Sequence, residues 1–244
     1  MKLRSILIAI VVFGLLALLS RPARAATTPV SSLEWATQVL EEVLTIPQGG
    51  IPRSVLDQAK AVAVFPNATR SDLSGGGQVA EGIIVARNSD GTWTNPALIS
   101  LRESASESEQ AGLTNDLILL FRTSEGISAL ENAPLTLGSG VTVEGGPLGD
   151  IDKGGIHKPD TNGQAQVYSY SIARGELVGL VPKGAVLQFE RAANEELYGK
   201  KDIALGEIFT SKSIDVPVVA GKLKPKIQSA YGHFSAGIQS KVGN

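Results

Sequence analysis

Few residues in this chain could carry chemistry, and their spacing is poor for it. The histidines are His157 and His233, and cysteine is absent. Nucleophilic hydrolysis needs a Ser or Cys beside a base that a third group orients. No G-x-S-x-G turn is present, and each histidine sits in a Gly-rich or terminal stretch. Two histidines without cysteine cannot complete a usual zinc set unless carboxylates join, and no H-E-x-x-H helix is present. Gly75-Gly76-Gly77 followed by Gly82 misses the spacing of a dinucleotide loop. The Gly179 to Gly184 run lacks the Lys-Ser/Thr ending of a phosphate loop. Asp150 and Asp152 supply two hard oxygens for calcium with no third ligand, which reads as a solvated turn. Carboxylate-only hydrolysis is the one catalytic chemistry left open. The expectation is a protein that is not an enzyme, with no catalytic residue, metal or cofactor.

The elements that would have to position any site begin with an export signal. Lys2 and Arg4 precede an apolar run from Ile6 to Leu19, Arg21-Pro22 breaks it, and Ala23-Arg24-Ala25 follows. A charged start, an apolar run of about 14 residues and small residues at an A-x-A site predict a signal peptide over residues 1–25. The run is short for an anchor spanning ~30 Å of hydrocarbon, and no cysteine stands at the cleavage point to take a lipid. The expected location is periplasmic or extracellular, soluble or peripherally membrane-associated. Removing Lys2, Arg4, Arg21 and Arg24 from 22 basic side chains leaves 18 against 24 acidic ones, a net of −6. That balance disfavours nucleic acid, which needs a basic face.

Residues 26–50 read as a leader and an amphipathic helix. Ser31-x-x-Glu34 predicts a capping box, with Trp35, Val39, Leu40 and Val43 turned inward and Glu41 and Glu42 outward. Pro52 suits the start of a second helix carrying Val55, Leu56 and Ala59. Strand signals then dominate: Ala61 to Phe65, Gly82 to Arg87, a hairpin turn at Asn88 to Gly91, a return through Trp93, and Asp116 to Phe121. A short helix is expected around Ser124 to Leu130, and a Gly-rich loop over 145–163. Strands follow at Gln164 to Ala173, Glu176 to Val181 and Ala185 to Glu190, with a helix around Ala192 to Tyr198. The fold class predicted is α+β: a curved, mostly antiparallel, Gly-rich and barrel-like sheet with helices at both ends. Residues 51–199 form its body, and 200–244 a C-terminal extension on the same domain.

Several blocks in order resemble one known family. Ile51-Pro52-x-x-Val55-Leu56-x-x-Ala59-Lys60 with Val64-Phe65-Pro66 is similar to the opening of the SYLF domain. Gly76, Gly77, Gly82, Arg87, Gly91, Trp93 and Pro96 fall at that family's spacing, and Asp116 through Phe121 looks like its apolar strand. Leu137-Gly138 and Gly146-Pro147-x-Gly149 match its central loop. Tyr170, Arg174, Gly175, Gly179 and Gly184 match its closing signature, with Tyr198-Gly199 just beyond. The chain departs from the pattern at Asp72-Leu73, at Ala80 and Gly140, and in the polar segment from Ser104 to Gln110, either a charged edge strand or a loop.

The resemblance implies a binding module. Its expected function is contact with anionic lipid headgroups or phosphoinositide-like membrane surfaces. The implied lipid-binding residues are the cations within matched blocks: Lys60, Arg70, Arg87 and Arg174, with Lys183 nearby. Lys222, Lys224 and Lys226 form a second cluster in the tail. The partner expected is an anionic phospholipid surface bound peripherally. The alternative is a cell-envelope structural or assembly protein that takes an envelope protein partner along a sheet edge.

Overall fold

The apolar run Ala61-Val-Ala-Val-Phe65 has no polar face to give to water, so it must be covered on both sides. In the computed structural model it is β1 (Ala61–Phe65), buried throughout, between β2 (Val79–Ala86) and β4 (Asp116–Phe121). The structure describes residues 28–46, 50–68, 79–102, 116–149, 165–173, 176–179 and 184–211, with 214, 218, 221, 222 and 225. The predicted signal peptide, the segment 104–110, most of the Gly-rich loop, both histidines, Lys224 and Lys226 lie outside them.

The other strands are β3 (Ala97–Arg102), β5 (Leu135–Thr136), β6 (Val143–Gly145), β7 (Val167–Ala173), β8 (Glu176–Gly179) and β9 (Val186–Phe189). They form one curled sheet in the order β5-β9-β3-β2-β1-β4-β7-β6. β7 shares its outer edge between two partners: β6 pairs parallel along its first half, and β8 antiparallel along its second. The remaining pairs are antiparallel, so the expected α+β class and sheet character hold.

Register separates two faces, because residues directly opposite one another share a side. Val62, Val64, Ile83, Val85, Ile118, Leu120 and Tyr170 stand on one face. α1 (Pro29–Thr45) lies over its β1–β2 part, with Ser32 Oγ donating to Glu81 Oε2 at 3.0 Å. α4 (Arg191–Tyr198) lies beside α1. Asn194 docks α4 on β3 by exchanging two 2.8 Å bonds with the Leu98 backbone. Phe65, Leu117, Leu119 and Phe121 stand on the opposite face, where Gly126 of α3 (Glu125–Asn132) packs on the Phe121 ring. α2 (Arg53–Gln58) leads into β1, and α5 (Leu205–Thr210) follows α4.

Two expectations for α1 are corrected. The cap is Thr28, not Ser31: its side chain accepts from the Ser31 backbone N–H, and Pro29 takes the first helical position. Proline fits there because that N–H has no intrahelical partner to lose. Trp35 is not inward but 46% exposed, whereas Leu33, Ala36, Val39, Leu40 and Val43 are buried. At about 100° per residue Trp35 falls roughly 200° from Leu33, off the stripe that Leu33, Ala36 and Leu40 define. The return of the first hairpin is likewise less than a strand. One bridge joins Arg87 to Trp93, although Trp93 is buried as its place after the turn predicts.

The matched motif blocks meet one another in space. The Tyr170 hydroxyl donates to Pro147 O at 3.2 Å, and a Cβ on Gly146 would sit 2.0 Å from the same ring. The Tyr198 hydroxyl donates to Pro96 O at 2.5 Å, joining the Trp93 block to Tyr198-Gly199. Gly199 closes α4 at φ +62, a left-handed cap that glycine adopts without strain. These spacings are therefore requirements of packing.

Candidate functional site

One end of the sheet gathers cations. Lys60 precedes β1, Arg87 follows β2 and Arg122 follows β4, and register places all three at the same end, since Ala61 pairs with both Ala86 and Phe121. The backbone continues that register outward: Lys60 N donates to Phe121 O and Arg87 N to Lys60 O, each at 2.7 Å. Neighbouring strands lie about 4.8 Å apart, so the row Arg87–Lys60–Arg122 spans roughly 10 Å at the backbone.

The three side chains are held differently. Lys60 is exposed, while Arg87 and Arg122 are half-buried. Arg87 Nη1 donates to Asp57 O at 2.9 Å, and its guanidinium stands 5.9 Å from the centre of the Trp93 ring. Arg122 donates to Ala165 O at 3.1 Å and Gln58 Oε1 at 3.0 Å, and stands 5.2 Å from the Tyr168 ring. Both arginines are thus fixed over aromatic faces, where a cation is attracted by the ring. Lys60, by contrast, carries its charge on a flexible stem.

Of the five predicted contacts, Lys60 and Arg87 are brought together. Arg70, Arg174 and Lys183 lie outside the described residues. β7 ends at Ala173 beside the Asp116 end of β4, the sheet end opposite Lys60. Arg122 was not foreseen. It follows the Asp116 to Phe121 strand directly, yet only the register of β1 against β4 reveals that it adjoins Lys60.

A cleft of about 400 Å3 lies between the first turn of α1, the β2–β3 ribbon and α4. Pro29, Val79, Leu98, Ile99, Ala192 and Ala193 give its apolar lining. Glu81, Glu190, Glu196 and Arg102 give its charges. Two carboxylates are held by buried hydroxyls: Glu81 by Ser32, and Glu190 by Ser100, whose Oγ donates at 2.5 Å. Among the described residues no group of three His, Cys, Asp or Glu is arranged to hold a metal. None of the described helices is long and apolar enough to cross a membrane.

The family described as Ysc84, Las17-binding protein actin regulator, matches residues 103–230. Protein YSC84 of Saccharomyces cerevisiae is 28% identical over 186 residues, covering 76% of this chain and 39% of the yeast protein. An SH3 domain-containing protein of Schizosaccharomyces pombe is 26% identical over 196 residues, covering 80% of this chain and 44% of that protein. SH3 domain-containing YSC84-like protein 1 of Xenopus laevis is 28% identical over 179 residues, 71% of this chain and 52% of the frog protein. The chain thus spans between two fifths and about half the length of these relatives. With the family match covering half the chain, and the SYLF blocks meeting in one packed sheet, this protein belongs to the Ysc84 (SYLF) family.

Proposed function

We propose that this chain is an exported binding module that touches anionic lipid headgroups through the Arg87–Lys60–Arg122 row. The observation that carries the reading is the register: three cations on adjacent strand ends, one exposed and two held over aromatic rings. Each basic side chain near an anionic surface contributes about 1 kcal/mol, so three give weak, reversible attachment. The mature chain carries an excess of acid, so attachment depends on this end of the sheet facing the membrane.

A binding role rather than catalysis also accords with the cleft. Its two lining hydroxyls, Ser32 and Ser100, are buried and already donate to carboxylates, Glu81 and Glu190, and no histidine is among its lining residues. The family description names a protein, Las17, as partner of its members, which makes a protein partner the second reading here. For this chain that partner would be an envelope protein taken along a sheet edge. The terminal strands offer little for such pairing: β5 has two residues, β6 three and β8 four.

Vesicle flotation of the mature protein separates the two. Binding to anionic but not neutral vesicles is expected at low salt, with release at several hundred millimolar, where screening shortens to roughly 5 Å. Lys60→Glu and Arg122→Gln should each reduce flotation while leaving the unfolding midpoint of Lys60→Glu unchanged. Binding that ignores both salt and charge reversal would overturn the headgroup reading in favour of apolar insertion. Failure to bind any vesicle would leave the protein-partner reading.

A further inference from the structure

The cleft under α1 has the opposite polarity to the cationic row. Three carboxylates, Glu81, Glu190 and Glu196, face one guanidinium, Arg102, so an anionic ligand is disfavoured there. Among the described residues no group of three such side chains is arranged to hold a metal ion either. Apolar side chains form the remaining wall, and Val79 at the mouth is 46% exposed, a branched side chain with nothing over it among the described residues. Water hydrates such a wall poorly, and a ligand with an apolar stem would displace it.

We infer that this cleft binds a primary ammonium group carried on a short apolar stem. An ammonium has three N–H donors and no acceptor, so it pairs with carboxylates in directions that a fixed acceptor set can satisfy. Ser32 and Ser100 hold Glu81 and Glu190 in place before any ligand arrives, which lowers the ordering cost of binding. The cleft, at about 400 Å3, lies within the range of small-ligand sites and is too small to house a folded partner. Its stem contacts are Val79, Leu98 and Ala193. Each methylene buried against them strengthens binding about fourfold. The amine is either a soluble metabolite or the headgroup of an aminophospholipid, and the ammonium chemistry is common to both.

The test uses n-hexylammonium and n-butylammonium in solution, followed by backbone amide shifts of the whole mature protein. Saturable shifts are expected at Gly82, Ser100 and Ala193, with hexylammonium binding on the order of tenfold tighter than butylammonium. Glu196→Gln, an exposed side chain whose loss leaves the fold intact, should weaken binding several-fold. Glu190→Gln should weaken it further, provided its own spectrum shows the native fold. Absence of saturable cleft shifts, equal response to hexanoate, or indifference to Glu196→Gln would overturn the proposal. Competition from ethanolamine-headgroup vesicles marks the ligand as lipid-borne, and its absence marks a soluble amine. The soluble probes need no vesicle, so this result and the flotation result fail separately.

Discussion

Replacing Gly82 with alanine tests whether a motif glycine is there for packing. A Cβ at residue 82 would stand 2.3 Å from Val64 O and 2.5 Å from the Phe65 ring. Carbon–oxygen contacts across paired strands settle near 3.3–3.6 Å, so the deficit is about 1 Å. The obstacle is the backbone of β1, which is paired on both sides and cannot retreat without opening its ladder to β2 or β4. Phe65 is 0% exposed and has no space to turn into. Overpacking of this kind typically costs about 1–3 kcal/mol, and contact with a paired carbonyl puts Gly82→Ala at about 3 kcal/mol. For a domain of this size that lowers Tm by roughly 6–12 °C. Urea unfolding of the mature protein, followed by circular dichroism, measures it. Phe65→Leu in the Gly82→Ala background should restore part of the loss, because it removes one of the two clashes. Gly91 is the control, at φ +82 with open space around it: Gly91→Ala should cost about 1 kcal/mol from backbone strain alone. A Gly82→Ala cost below about 1 kcal/mol, or one equal to Gly91→Ala, would refute the packing argument.

Burial pushes the phenols of Tyr170 and Tyr198 well above the ordinary tyrosine value, so the native state keeps protons that the unfolded chain releases near pH 10. Their stabilising effect is complete below about pH 10 and is lost as pH rises beyond it. Urea midpoints at pH 8 and 10.5 should differ, and the Tyr170→Phe/Tyr198→Phe variant should lose most of that difference, at a cost of about 1 kcal/mol per lost hydrogen bond at pH 8. Mass spectrometry of protein from its native host should find an N-terminus at or near Ala26. A chain beginning at Met1 in the membrane fraction would refute cleavage.

The strands with unbroken apolar runs were legible from sequence alone. Ala61 to Phe65 and Asp116 to Phe121 fall where their β-branched and aliphatic residues place them, because such runs can only be buried. The hairpin turn at Asn88 to Gly91 was legible too, since a left-handed residue at its end favours glycine. Helix entry was misread by three residues because two capping patterns overlap, and proline's fit at the first position decides between them. The inward placement of Trp35 failed because hydrophobicity cannot say which side of a helix meets the sheet. Pairing was beyond local signals altogether. Lys60, Arg87 and Arg122 are separated by long stretches of sequence and become neighbours only through the register of β1 with β2 and β4. The same holds for the cleft, whose carboxylates come from β2, from α4 and from the residue that caps it, with Arg102 from β3. Local residue types determine which segments are strands and helices, because burial and turn geometry act over a few residues. Which charges share a surface is decided by long-range hydrogen-bond register, which only the folded sheet supplies.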